Sequence, residues 1–119
     1  MLNRKMHCTV LAMTRKVVPV LVDAGYRVVV PDFIGFGKSD KYTDPSLYTH
    51  ELHCLVLRKL LDHLRLTEVT LVCQDWGGLT GLSVVKDAPD IFSSLVIMNT
   101  GLPTGFDIFK ESKDIAKVS

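Results

Sequence analysis

The sequence predicts an α/β fold, a parallel sheet with flanking helices, on three observations. Residues 26–31 are a β-branched run with no polar alternation beyond Arg27, the pattern of a parallel strand covered on both faces. Further strand-like runs at 69–74 and 94–99 are separated by stretches with helical spacing, and such alternation implies a doubly wound parallel sheet. The middle run leads straight into Cys73-Gln74-Asp75-Trp76-Gly77-Gly78, which reads as a tight strand-to-helix turn.

Taken in order, residues 14–24 read as a helix ending at Gly25, with Pro19 as either a first-turn residue or a kink. The strand at 26–31 opens into a Gly- and Asp-rich loop at 32–45. Thr49 can N-cap a helix through about residue 65, with Leu52, Val56, Leu60 and Leu64 forming its core face. After the strand at 69–74, a helix at 77–88 carries Leu79, Leu82, Val85 and Ala88 at helical spacing, and Pro89 ends it. Residues 1–13 contain one short apolar run, 8–13, and residues 104–119 mix charged and apolar residues without a clear element.

Composition bounds the function classes. Nearly half of the 119 residues are apolar (47%), as in a globular chain. A net charge of +1 argues against nucleic-acid or anionic-membrane partners. No apolar run reaches the ~18 residues of a membrane helix. Cys8, Cys54 and Cys73 form no C-x-x-C pair, so reduced thiols and a cytoplasmic location are expected. Arg4, Lys5, Arg15 and Lys16 all precede the first acidic residue, Asp23, which leaves a mitochondrial presequence as the alternative.

The turn at 73–78 carries the chemistry. Gly77 and Gly78 suit a tight turn with a helix packed close behind it. Asp75 stands where such elbows expose a nucleophile, and a carboxylate there can attack carbon and form an ester. Trp76 adds an indole N–H, a donor without acceptor capacity, suited to a leaving anion. The alternative is that Asp75 caps the next helix and Trp76 is core; the strand before and helix after favour the elbow. Cys73 sits where a small side chain is wanted, so packing explains it.

Other motifs carry less. Gly37-Lys38-Ser39 lacks the glycine that a phosphate loop places five positions earlier, where Asp32 stands. Asp32 and Gly35 are expected to shape the turn, with Ser39 and Asp40 bonding locally to backbone. His50 and His53 share a predicted helix face with no third metal ligand evident, so a solvated face is expected.

Arg15-Lys16, the run Val29-Val30-Pro31-Asp32-Phe33-Ile34-Gly35-Phe36-Gly37-Lys38-Ser39-Asp40, the Gln74-Asp75-Trp76-Gly77-Gly78 turn and Ile97-Met98-Asn99-Thr100-Gly101 together resemble the haloalkane dehalogenases of the α/β-hydrolase superfamily. The resemblance runs from about Arg15 to Pro103, which places a partial α/β-hydrolase core at 14–103. Epoxide hydrolases of the same fold usually carry His before the aspartate and fluoroacetate dehalogenases Arg after it; this chain has Gln74 and Trp76. The resemblance implies hydrolytic cleavage of a carbon–halogen bond, with Asp75 as nucleophile and Trp76 as halide and oxyanion donor. Its substrates would be a small halogenated organic molecule and water, with no metal or organic cofactor. An epoxide hydrolase-like activity is the alternative, as is a truncated product without catalysis.

By the same resemblance the chain is a partial fold. The cap domain, C-terminal strands and catalytic histidine are expected beyond it, with residues 104–119 near the start of the cap. Asn99 stands where some subfamilies place the catalytic acid. The family also has a strand and His-Gly turn between the strands at 26–31 and 69–74. Residues 1–13 hold no His-Gly, and the run at 8–13 abuts the helix at Thr14. If it cannot pair, two strands face an empty gap and the chain is expected to be insoluble or molten.

Overall fold

The computed structural model of the chain describes residues 7–11 and 15–101. Along them run β1 (His7–Leu11), α1 (Val17–Asp23), β2 (Arg27–Val29), α2 (His50–His63), β3 (Val69–Gln74), α3 (Asp75–Asp87) and β4 (Phe92–Met98). These strands form one parallel sheet in the order β2-β1-β3-β4. The tail at 104–119, the end of the 8–13 run and Thr14 lie outside the described residues.

β1 corrects the expectation of an empty gap. It lies between β2 and β3, with Cys8 opposite Val28 and Thr70, and Thr9 opposite Val29 and Leu71. Parallel pairing uses backbone N–H and C=O groups alone, so no His-Gly turn is required for it. The ground for expecting a molten chain is thereby removed.

β3 organises the core because its side chains alternate between the two faces. Val69, Leu71 and Cys73 join Leu57 and Leu61 of α2 and Val84 of α3 in the main cluster. Val72 points the other way and packs with Leu21 of α1, Tyr26, Val28 and Met98. α2 and α3 therefore cover one face and α1 the other. α1 starts at Val17, which puts Pro19 in its first turn, where a missing N–H is tolerated.

α2 presents a different stripe from the one expected. Thr49 does cap α2, its hydroxyl accepting from the Leu52 N–H at 3.1 Å. The deepest residues of α2 are Leu57 and Leu61, at 3% and 1% exposure, while Leu52, Val56 and Leu60 are half-buried. A row at four-residue spacing drifts about 40° per step round a helix, so spacing alone does not choose the face. On α3 the buried side is Gly77, Gly78, Thr80, Gly81 and Val84, with Leu79, Leu82 and Val85 half-buried beside it. Small residues let the helix sit close to the sheet, and the larger ones fill its flanks.

The edges hold the second correction. β2 was expected to be covered on both faces, but it is the sheet edge and only half-buried, with Val30 after it exposed. At the other edge Leu95, Val96 and Ile97 of β4, which starts two residues before the expected strand, are all exposed. An uncharged edge strand of this kind templates pairing with other chains. Val96→Lys is therefore expected to keep the chain monodisperse at higher concentration with an unchanged far-UV circular dichroism spectrum. Light scattering over a concentration series checks this; identical scattering from both proteins would contradict it. Among the described residues, no helix is long and apolar enough to cross a membrane.

Candidate active site

β3 stops and α3 starts with no residues between them. Gln74 is still extended, at φ −146 and ψ 146, whereas Asp75 has φ 50. A non-glycine residue in that region costs on the order of 1–3 kcal/mol, least for Asp and Asn. The surroundings hold it there. The hydroxyl of Thr100, in the segment after β4, donates to the Asp75 carbonyl oxygen at 2.7 Å. Any side chain on Gly78 would overlap that threonine, so glycine is what lets the segment close over the turn. Thr100 was not singled out from sequence; its only signal there is its place in the matched Ile97–Gly101 run.

The turn leaves Asp75 exposed and Trp76 72% exposed, while Gly77 and Gly78 are buried beneath. Cys73, fully buried one strand pitch below, fills space as the sequence suggested. Burial pushes its thiol above the ordinary value, which keeps it neutral.

The loop after β2 supports one side of the site. Its turn is closed by the Asp32 carboxylate accepting from the Lys38 N–H at 2.9 Å and by the Ser39 hydroxyl donating to the Asp32 carbonyl at 2.6 Å. Gly37 lies so close to that carboxylate that a Cβ would collide with it. The Tyr48 hydroxyl grips Tyr42, accepting from its N–H at 2.6 Å and donating to its carbonyl at 2.9 Å. A cavity of about 400 Å³ opens between this loop, α2 and Trp76. Asp75 does not line it.

The expected solvated histidine face holds only in part. His50 is exposed, with Nε2 3.1 Å from the Ser83 hydroxyl and 3.4 Å from the Cys54 sulfur. His53 is half-buried, its ring 5.2 Å from that of Phe33 and its Nδ1 shielded without a partner. The reason is the rotated α2 face: His53 and Cys54 turn towards the site and the core. A second cavity, about 570 Å³, runs between α2 and α3 and mixes Glu51 and Asp87 with Arg58 and Lys86. Neither Asp75 nor Trp76 borders it. Cys54 there is held above its ordinary value by burial, with the Asp87 and Glu51 charges adding and a Ser83 hydrogen bond opposing. Among the described residues, no group of three or more His, Cys, Asp or Glu is placed to hold a metal ion.

Residues 8–118 match the family described as "alpha/beta hydrolase fold". Over 91 residues the chain is 48% identical to a haloalkane dehalogenase of Psychrobacter cryohalolentis, covering 76% of this chain and 30% of that one. It is 42% identical over 90 residues to a cis-3-alkyl-4-alkyloxetan-2-one decarboxylase of Shewanella oneidensis, covering 73% and 28%. Among solved structures, the tetrameric haloalkane dehalogenase DpaA of Paraglaciecola agarilytica NO2 superposes with a TM-score of 0.76 at 42% identity, over 82% of this chain and 35% of that one. The chain thus spans about a third of the length of the relatives it matches.

Proposed function

Because the chain belongs to the α/β-hydrolase fold family, we propose that it supplies the nucleophile and one halide donor of a haloalkane dehalogenase. One observation carries the reading: a carboxylate at φ 50 on the strand-to-helix turn, exposed beside an exposed indole. An Asp75 carboxylate oxygen attacks the carbon bearing the halogen in line. The new C–O bond forms as the carbon–halogen bond breaks, and halide leaves with the bonding pair towards the Trp76 N–H. Water then adds to the ester carbonyl, activated by a histidine expected outside these 119 residues. The alcohol departs and the carboxylate is restored. The Trp76 backbone N–H contributes to binding the oxyanion on the way.

The test is a graft. The 91 matched residues replace their counterparts in the Psychrobacter relative, and bromide release from 1-bromobutane is followed with time. Steady release supports the reading; a folded graft that releases none would overturn it. In the same graft, Trp76→Phe removes the indole donor and is expected to lower turnover by roughly 10²-fold, and unchanged turnover would remove Trp76 from the halide site. The Shewanella relative motivates a second reading, decarboxylation of an oxetanone, because its identity over this segment is nearly as high. Offering the graft both substrates separates the two.

A further inference from the structure

We infer that the cavity between the 32–48 loop, α2 and Trp76 is a binding site for a small, uncharged aromatic molecule. Four rings, those of Phe33, Phe36, Tyr48 and Trp76, line one space of about 400 Å³. That size lies within the range of small-molecule pockets. Among the described residues, no Lys, Arg, Asp or Glu lines it, so it offers no counter-charge to an ion.

Three of the polar groups on its walls are already engaged, and one nitrogen, His53 Nδ1, is shielded without a partner. The Tyr48 hydroxyl is taken up by both backbone groups of Tyr42. The Thr49 hydroxyl caps α2. His50 Nε2 is turned to Ser83 and Cys54. Most of what the walls offer is ring surface, which recognises other rings through offset or edge-to-face contact.

The walls are also set before any ligand arrives. Tyr48 is anchored at its hydroxyl and its ring lies against Gly35, where a Cβ would come within 2.5 Å of it. Phe33 is tilted 50° onto His53. Ordering these rings therefore costs little on binding. Phe36 and Trp76, both exposed, form the rim.

Trp76 is the only tryptophan of the chain, so all tryptophan emission comes from the rim of this cavity. Toluene, which has no halogen to displace, is titrated into the 119-residue protein. Benzoate, of similar shape but charged, is the control. A saturable change in emission with toluene and none with benzoate is expected. Phe36→Asp, which puts a charge on the rim, is expected to weaken toluene binding by roughly tenfold. Toluene at about ten times its Kd is also expected to raise the thermal midpoint of the unaltered chain by roughly 5 °C. An unsaturable or absent emission change, an equal response to benzoate, or a titration unaffected by Phe36→Asp with no shift in midpoint would overturn the site. None of these results depends on dehalogenation.

Discussion

Asp75→Asn in the graft abolishes halide release, a loss of roughly 10⁴-fold or more, while the protein stays folded. The size follows from removing the nucleophile itself: what remains is whatever positioning and halide binding alone contribute. Folding survives because asparagine tolerates φ 50 as well as aspartate does, and neither side chain is needed to hold the turn. The Thr100 hydroxyl grips the backbone carbonyl at 75, which the substitution leaves in place. Ion chromatography of released bromide, with circular dichroism on the same sample, checks both halves. Residual release within tenfold of the parent would show that Asp75 is not the attacking group.

Thr9→Pro is expected to remove the cooperative unfolding transition of the chain. Thr9 is paired on both sides, with Val29 of β2 and Leu71 of β3, so β1 is an inner strand at that point. Proline there deletes an N–H from the ladder, and its ring disturbs the facing strand. An unpaired buried backbone group costs about 1–3 kcal/mol, against a net domain stability of only ~5–15 kcal/mol. Neither edge adds much to that margin, since β2 is only half-buried and β4 is exposed among the described residues. A thermal melt followed at 222 nm gives the answer. An unchanged midpoint would mean that β1 does not hold the two halves of the sheet together.

The elements that sequence made legible are those whose signal is local. β3 was read to its ends because a β-branched run stops at a sharp turn, and Thr49 because its cap and the following helix are neighbours in the chain. The strand at β1 was legible as the one apolar run of residues 1–13 available for the gap, but its pairing was not. Its pairing depends on what lies beside it in space, and the motif expected to announce it, His-Gly, is not the group that pairs. The face of α2 was misjudged for a related reason. On α2 the row Leu52, Val56, Leu60 and Leu64 looked like the core, yet the deepest residues are Leu57 and Leu61. At the site, Asp75 and Trp76 could be singled out because their turn is contiguous. Thr100, which ties that turn down from 25 residues away, and His53, rotated against Phe33, are products of tertiary packing.

The attack by Asp75 on carbon is tested most directly by one oxygen-labelling experiment. The graft, in excess over 1-bromobutane, turns over once in H₂¹⁸O, and the alcohol and the peptide containing Asp75 are weighed by mass spectrometry. If Asp75 forms the ester, the butanol keeps ¹⁶O from the carboxylate and Asp75 gains one ¹⁸O from water. Butanol carrying ¹⁸O over an unlabelled Asp75 would mean that water attacks carbon directly, and that Asp75 is not the nucleophile.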